Sequence, residues 1–212
     1  MGKKIYEFLK NVYKGILEVI YPKELKCIIC KEEEAEGLCN RCKDMITLCK
    51  KEELCVGYYK GVLKELILNF KYNKDFIAGE ILVKLIEEKL LYFDKNYYLT
   101  FIPISKDRSK KYGFNQCKYL AEEIAFRNGF KVIDTLEKIK DTKIQKTLSK
   151  EERVTNICGA FGIKNKDKVK GKRFILIDDV VTTGSTVNEG VRVLLENGAI
   201  EIKILTLAKS YI

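Results

Sequence analysis

One segment constrains the fold of this 212-residue chain more than any other: an apolar run leads into two adjacent acids and then into a short loop of hydroxyl residues and glycine. The run covers 174–177, the acids are Asp178 and Asp179, and the loop spans 182–186. A short apolar run bounded by polar residues predicts a buried strand, and the residues from Ser185 onward have helical periodicity. A strand, a loop and a helix in this order are typical of a parallel α/β sheet.

The loop after the acids has the composition of a phosphate-binding turn. It consists of Thr182, Thr183, Gly184, Ser185 and Thr186. Its backbone N–H groups and hydroxyls can donate to a phosphate, the glycine permits a close approach, and the N-terminus of the next helix adds partial positive charge. The loop is not a Walker A motif, because no Lys follows the glycine.

The two acids suit a sugar better than a phosphate. Carboxylates repel phosphate oxygens but accept hydrogen bonds from sugar hydroxyls, and they can also face the hydration shell of a magnesium ion. The acids and the loop together therefore predict a site for a ribose 5-phosphate. The alternative is a charged turn that precedes a well-capped helix and binds nothing.

Apolar periodicity in the rest of the chain predicts alternating helices and strands. Helices are expected at 62–70, 77–86, 115–127 and 185–197, the last ending at Gly198. Strands are expected at 98–102, near Val132 and Leu136, at 174–177 and at 202–207. A polar, lysine-rich loop at 138–150 is expected to lead into a short capped helix at 149–156. This alternation predicts an α/β fold, with a mainly parallel sheet and helices on both faces.

The N-terminal part of the chain carries a separate pattern of cysteines. Four of the eight cysteines form two Cys-x2-Cys pairs eight residues apart: Cys27, Cys30, Cys39 and Cys42. Two such turns can present four thiolates to one Zn²⁺ ion, and a closed shell of four sulfurs makes the metal structural. The alternatives are a disulfide framework, which needs an oxidising compartment, and a redox pair, which needs no second turn.

Histidine is absent, which excludes Ser-His-Asp triads, Cys-His nucleophile pairs and histidine-ligated metal sites. The other four cysteines are Cys49, Cys55, Cys117 and Cys158. None of them belongs to a Cys-x2-Cys pair, so we expect them to be small buried residues.

These patterns divide the chain into an amphipathic helix at 1–24, a zinc-ribbon module at 25–56 and an α/β domain at 57–212. The N-terminal stretch has helical spacing rather than the unbroken apolar core of a signal peptide, and no apolar run approaches the roughly 20 residues that span a bilayer. We therefore expect a cytoplasmic protein without a transmembrane segment. A position at the inner face of the membrane stays open, because four polar positions among the first twenty residues are Lys.

The net charge of +10 is concentrated in one part of the chain. Residues 101–173 contain 19 basic and 9 acidic side chains, and this difference equals the whole excess. A local positive field attracts nucleic acid or a small polyphosphate. The alternative is a set of solvated lysine-rich faces, since 34 of the 40 basic residues are Lys.

The strand, acid pair and Thr-Thr-Gly loop resemble the signature of type I phosphoribosyltransferases. Further motifs resemble the ComF family of competence proteins, as do the Cys-x2-Cys pairs. These motifs are 59–61, 71–72, 101–104, 113–116, 120–121, Gln145, 148–149, 152–153, Asn156 and 159–161. The likeness covers nearly the whole chain and implies the phosphoribosyltransferase fold. Where the family usually has Arg before Gly-Phe-Asn-Gln, this chain has Tyr112 after two lysines.

The resemblance implies roles for individual residues. Asp178 and Asp179 would hold the ribose hydroxyls, and in an active enzyme they would be the catalytic pair; 182–186 would hold the 5-phosphate. A third group would approach the pyrophosphate or close over it, and comprises Ser105, Lys106, Arg108, Lys111, Gln145 and Arg153. Mg²⁺ would accompany phosphoribosyl pyrophosphate.

The resemblance also implies a role in natural transformation. Such a protein would assist uptake of single-stranded DNA together with a DNA-translocating helicase, using the cleft for phosphoribosyl pyrophosphate or a nucleotide. One alternative is an active phosphoribosyltransferase of nucleotide metabolism or salvage. Another is a zinc-nucleated docking protein whose cleft has lost its ligand.

Overall fold

The computed structural model describes residues 12, 25–33, 35–91, 93–105, 110, 113–140 and 156–210. The expected N-terminal helix at 1–24 lies outside the described residues, apart from Val12. Most of the expected loop at 138–150 and of the short helix at 149–156 also lies outside them.

A parallel sheet of five strands forms the centre of the described fold. Its strands are β1 (Cys55–Tyr58), β2 (Tyr97–Phe101), β3 (Lys131–Val132), β6 (Arg173–Val181) and β7 (Glu201–Lys209). They lie in the order β1-β7-β6-β2-β3, and every neighbouring pair is parallel. An antiparallel pair of short strands, β4 (Leu136–Lys138) and β5 (Phe161–Ile163), lies beside this sheet.

Helices cover both faces of the sheet, which confirms the predicted fold class. The helices are α1 (Asn40–Asp44), α2 (Gly61–Asn73), α3 (Phe76–Leu90), α4 (Gln116–Asn128) and α5 (Ser185–Glu196). The central strand β6 shows how the faces differ: Ile175 and Ile177 pack with α2, α3 and α4, whereas Phe174 and Leu176 pack with α5. A strand buried on both faces must be apolar throughout, which explains its continuous hydrophobic sequence.

The structure extends the predicted elements in two ways. Strand β6 continues past Ile177 through both acids to Val181, because β7 supplies pairing partners as far as Lys209. Strands β1 and β5 were not predicted: β1 is only four residues long and β5 contains a glycine, so neither has a clear period. Strand β1 also extends across position 56, which is the predicted boundary between the zinc-ribbon module and the α/β domain.

The cysteine-rich region packs against the α/β domain. Cys27 and Cys42 are buried in the same apolar cluster as helices α2, α3 and α4. Gly37, in the left-handed conformation with φ +78°, lies against Ile77 and Ile81 of α3. Across the described ranges, no helix combines the length and the apolar character needed to cross a membrane.

Candidate functional site

The acid pair and the hydroxyl loop lie where the chain reverses its direction of winding. From β2 the chain crosses by α4 to β3 on one side, and from β6 it crosses by α5 to β7 on the other. In an open parallel sheet, such a switch leaves a crevice at the carboxyl ends of the two central strands, and ligands bind there. The carboxyl ends of β2 and β6 adjoin at Phe101 and Ile177.

The hydroxyl loop forms a small cleft at this position. The cleft is lined by Asp178 and residues 180–187. Its volume is about 210 Å³, which includes space open to solvent. Gly184 has φ +78° and is the N-cap of α5, where it offers no side chain to the first N–H groups of the helix. The Thr183 and Ser185 hydroxyl oxygens are 2.7 Å apart and hydrogen-bonded. The loop therefore presents hydroxyls and a helix N-terminus to the cleft.

Asp178 is the acid that lines the cleft. Its side chain is buried, and its Oδ1 accepts hydrogen bonds from the Asp179 N–H at 2.9 Å and from the Cys117 thiol at 3.7 Å. Burial, reinforced by the neighbouring charge of Asp179, raises the pKa of Asp178 to about 7. At neutral pH this carboxyl is therefore divided between a form that donates a hydrogen bond and a form that only accepts one.

Asp179 points elsewhere, and it is not among the residues that line the cleft. Its Oδ2 forms a salt bridge with Nζ of Lys71, and its Oδ1 accepts a hydrogen bond from the Val180 N–H at 2.7 Å. Burial opposes the charge of Lys71, but Asp179 outweighs it and raises the pKa of Lys71 above its ordinary value. The two acids therefore have different surroundings, although they are adjacent in sequence.

Two residues that contact the acids, Lys71 and Cys117, were not among the predicted site residues. A signal existed for Lys71, which lies four residues after Ile67 and eight after Leu63 on the apolar face of α2. A lysine at a core-facing position must pair with an acid, because an unpaired buried charge is costly. Cys117 gave no comparable signal, since a buried cysteine is ordinary.

The other predicted site residues are only partly described. Ser105 is half-buried in the segment that follows β2. The remaining members of the pyrophosphate group lie outside the described residues: Lys106, Arg108, Lys111, Gln145 and Arg153. Their contact with pyrophosphate stays a prediction.

The four paired cysteines come together in space. The sulfur atoms of Cys27, Cys30, Cys39 and Cys42 all lie within 4.8 Å of one another. Zn–S bonds of about 2.3 Å in tetrahedral geometry place sulfurs about 3.8 Å apart, so this cluster has the size that a zinc ion requires. All four donors are thiols, which suits a closed structural site rather than a catalytic one.

Backbone geometry favours the thiolate at Cys27, whereas burial and the neighbouring thiols raise the pKa of Cys42. Burial opposes ionisation of Cys27, but hydrogen bonds from the N–H groups of Cys39, Cys30 and Ile29 lower the pKa of its thiol to about 6. Cys39 is the N-cap of α1, and its sulfur accepts from the Cys42 N–H at 3.4 Å. N–H groups directed at the sulfurs stabilise the anionic form that binds metal.

The other cysteines behave less uniformly than predicted. Cys49, Cys55 and Cys117 are buried, as expected. Cys158 is exposed, so the expectation of a buried residue was wrong there. It lies in a turn after a short helical segment, and its neighbour Ile157 takes the buried position.

The comparisons with known proteins agree with this geometry. The phosphoribosyl transferase domain family matches residues 115–210, which include the acid pair and the loop. Competence protein ComFC of Streptococcus pneumoniae is 30% identical over 190 residues, covering 88% of this chain and 81% of that protein. ComFC of Bacillus subtilis is 29% identical over 231 residues, covering 96% and 92%. DNA utilization protein YhgH of Salmonella typhi is 28% identical over 162 residues, covering 73% and 70%.

The parallel sheet and the domain match define the class: the chain contains a phosphoribosyltransferase-type α/β domain, preceded by a four-cysteine cluster. The relatives, which extend across both parts, narrow this class further. The chain belongs to the ComF family of competence proteins.

Proposed function

We propose that this protein assists the uptake of single-stranded DNA in natural competence and binds phosphoribosyl pyrophosphate, or a related ribose 5-phosphate, in the cleft at the end of β6. The observation that carries the proposal is the juxtaposition of a buried acid with the hydroxyl loop in one cleft. The names of two relatives, competence protein and DNA utilization protein, support the biological setting.

Each part of the proposed ligand has a matching part of the cleft. The loop N–H groups and hydroxyls, with the N-terminus of α5, bind the 5-phosphate. The acid pair provides for the ribose hydroxyls, and Mg²⁺ enters with the pyrophosphate. If the protein also transfers the ribosyl group, a nitrogen nucleophile displaces pyrophosphate from C1, and these same residues act in catalysis.

Calorimetric titration of the zinc-loaded protein with phosphoribosyl pyrophosphate and Mg²⁺ tests the cleft. We expect binding in the wild type and much weaker binding in the Asp178→Asn, Asp179→Asn double variant, which keeps only the phosphate loop. The matched control replaces two exposed acids, Asp134→Asn and Asp167→Asn, and changes the net charge equally. Equal affinity in the wild type and the acid-pair variant contradicts the proposal. Release of pyrophosphate on addition of a nucleobase identifies an active transferase.

The proposed DNA partner has its own test. The basic excess of 101–173 predicts that a short single-stranded oligonucleotide binds with an affinity that falls steeply as salt rises. Affinity that stays constant between low and physiological salt contradicts this part of the proposal. Under the proposed role the protein works on the cytoplasmic side of the membrane, where a DNA-translocating helicase delivers the strand.

The four-cysteine cluster is proposed to hold one structural Zn²⁺ ion. The size of the cluster and the N–H groups directed at its sulfurs support this assignment. The ion would connect the turn at 27–30 to the start of α1 and so fix the cysteine-rich region against α3.

A further inference from the structure

Lys71 lies beside the acid pair, with 28% of its side chain exposed. It lies in the last turn of α2, next to Phe70, which is 1% exposed and packs edge-on against Phe114 at a ring distance of 5.2 Å. The Lys71 carbonyl accepts a hydrogen bond from the Gln116 side chain at 3.4 Å. These contacts place the backbone of Lys71 within reach of the acid pair.

The contacts of Lys71 continue to the cleft through Asp179. The ammonium group holds the Asp179 carboxylate, and the Asp179 N–H donates to Oδ1 of Asp178 at 2.9 Å. Asp178 has no salt bridge of its own among the residues that the structure describes. The Asp179 N–H belongs to the backbone of β6, so Lys71 acts on Asp178 through charge: it holds the Asp179 carboxylate and offsets the repulsion between the two adjacent acids.

We propose that the two acids have different roles: Asp178 contacts the ribose hydroxyls directly, while Lys71, a positioning residue, holds the Asp179 carboxylate outside the cleft and offsets its charge. This inference rests on the proposed pentose site and deepens it. It assigns Lys71 a part in recognising the sugar, and none in binding the phosphate, which the loop at 182–186 takes.

The division of work separates two ligands. Ribose 5-phosphate uses both the acid pair and the loop, whereas inorganic phosphate uses the loop alone. The ratio of the two affinities therefore measures the contribution of the acid pair. A variant that merely loosens the fold weakens both ligands together and leaves this ratio unchanged.

The experiment measures both ligands by calorimetry in wild type, Lys71→Met and the matched control Lys74→Met. Lys74 lies three residues along at the end of the same helix, so its replacement changes the same charge nearby. We expect Lys71→Met to lower ribose 5-phosphate affinity about tenfold with phosphate affinity unchanged, the size of one lost charge-assisted contact. Lys74→Met should change neither. If Lys71→Met does not fold, Lys71→Gln, which keeps a donor for Asp179, replaces it and should lose about threefold.

Two further readouts test whether Lys71 acts through Asp179. The effect of Lys71→Met should nearly vanish in an Asp179→Asn background, because the two residues form one unit. Lys71→Arg, which keeps the charge, should recover most of the affinity. Additive losses in the double variant, or a Lys71→Met protein with wild-type ribose 5-phosphate affinity, overturn the inference. Failure of the wild type to bind either ligand overturns the proposed function instead.

The pH dependence gives a readout that a structural role does not move. The charged and titratable groups that face Asp178 are Asp179 on β6, Lys71 on α2 and Cys117 on α4. Thr206, its partner in the register of β7, carries no titratable group. Lys71 opposes the rise in the Asp178 pKa, so a neutral residue at position 71 should raise that pKa and move the midpoint of the ribose 5-phosphate pH profile upward relative to the wild type and to Lys74→Met. An unchanged midpoint contradicts a positioning role.

Discussion

The four-cysteine cluster and the acid pair are both groups of ionisable side chains held close together, but they acquire their partners differently. The four cysteines of the cluster come from one short stretch, 27–42, and their sulfur atoms all lie within 4.8 Å of one another. The acids depend on distant elements: Lys71 is 108 residues from Asp179, and Cys117 is 61 residues from Asp178. One group is assembled by local turns, whereas the other exists only after the whole sheet has formed.

The two groups also differ in whether each ionisable side chain has a partner that balances its charge. Four thiolates around one metal ion would leave no ligand position open, so the proposed zinc site would serve stability. The acid pair has one cation for two carboxylates, and Asp178, which has no salt bridge among the described residues, is the acid that faces the cleft. A group whose charges are all balanced within the protein supports the fold, whereas a group with one unbalanced carboxylate is able to bind a ligand.

Removal of two cysteine ligands is the change with the largest expected effect. Cys27→Ser with Cys42→Ser should abolish zinc binding and lower the free energy of unfolding by on the order of 5–10 kcal/mol, because structural zinc contributes directly to folding. Elemental analysis and urea unfolding provide the measurements. Cys158→Ser replaces an exposed cysteine outside the cluster and should alter neither. A double variant with one zinc ion per chain contradicts the assignment.

Glu189 extends the comparison, because it is a buried acid that is fully satisfied. Its carboxylate accepts hydrogen bonds from the Gly159 N–H at 2.7 Å and from two nitrogens of Arg192 at 2.8 and 2.9 Å. Glu189→Gln should lower the free energy of unfolding by about 2 kcal/mol, since it weakens the charge-assisted hydrogen bonds of a buried carboxylate to the half-exposed Arg192. Affinity for phosphoribosyl pyrophosphate should stay the same.

The control for this prediction is Glu196→Gln. Glu196 contacts the same arginine but its side chain is 58% exposed, so the loss of stability should stay below about 0.5 kcal/mol. If Glu189→Gln weakened ligand binding as strongly as Asp178→Asn does, the presence of internal hydrogen-bond partners would not distinguish a structural acid from a ligand-binding one.

The difference between locally and distantly assembled groups also explains which features can be predicted from the sequence. The four-cysteine cluster follows from the spacing of the two Cys-x2-Cys pairs, and the cleft follows from the order of strand, acids and loop, since both patterns lie within short stretches of the chain. The fold class follows from the alternation of strands and helices. Each of these is a local pattern, visible without a fold.

What the sequence conceals is long-range. The bond between Lys71 and Asp179 depends on how α2 packs on the sheet, and no local pattern states which acid a core-facing lysine will meet. The different directions of the two acids depend on strand β6 continuing to Val181, which β7 determines through its register. Short strands such as β1 are likewise defined by their neighbours more than by their own residues.

The ionisation of Asp178 predicts how stability varies with pH. The folded pKa is about 7, above the ordinary value of 3.8, so between these values the folded chain holds a proton that the unfolded chain releases. Stability should therefore fall as the pH rises, by about 2 kcal/mol between pH 5.5 and 7.5, and Asp178→Asn should remove this component. Urea unfolding of the zinc-bound protein at several pH values measures it.

The control is Asp134→Asn, which removes an exposed carboxylate and should leave the slope unchanged. The outcome also tests the comparison itself. A site kept for ligand binding should cost stability at neutral pH, so an Asp178→Asn protein that is less stable than wild type at pH 7.5 would place this acid among the structural residues, with Glu189.

The smallest effect on stability is expected at Gly184, where the backbone conformation and the approach of a phosphate both favour a glycine. Its φ of +78° disfavours any residue with a Cβ atom, and Gly184→Ala should cost about 1 kcal/mol of stability for that reason alone. Gly129, with φ +73° at the end of α4, lies away from the cleft and has open space where a Cβ would be. Gly129→Ala should therefore cost a similar amount, as measured by urea unfolding.

The two variants should differ in ligand affinity. At Gly184 a new methyl group lies 3.5 Å from the Asn188 side chain, an ordinary contact that the fold tolerates, but it also stands at the N-cap that the proposed phosphate approaches. Gly184→Ala should then weaken binding of inorganic phosphate several-fold while Gly129→Ala leaves it intact. Equal affinities in the two variants would mean that the glycine serves only the turn, and that the phosphate, if bound, keeps a greater distance from the backbone than the proposed site requires.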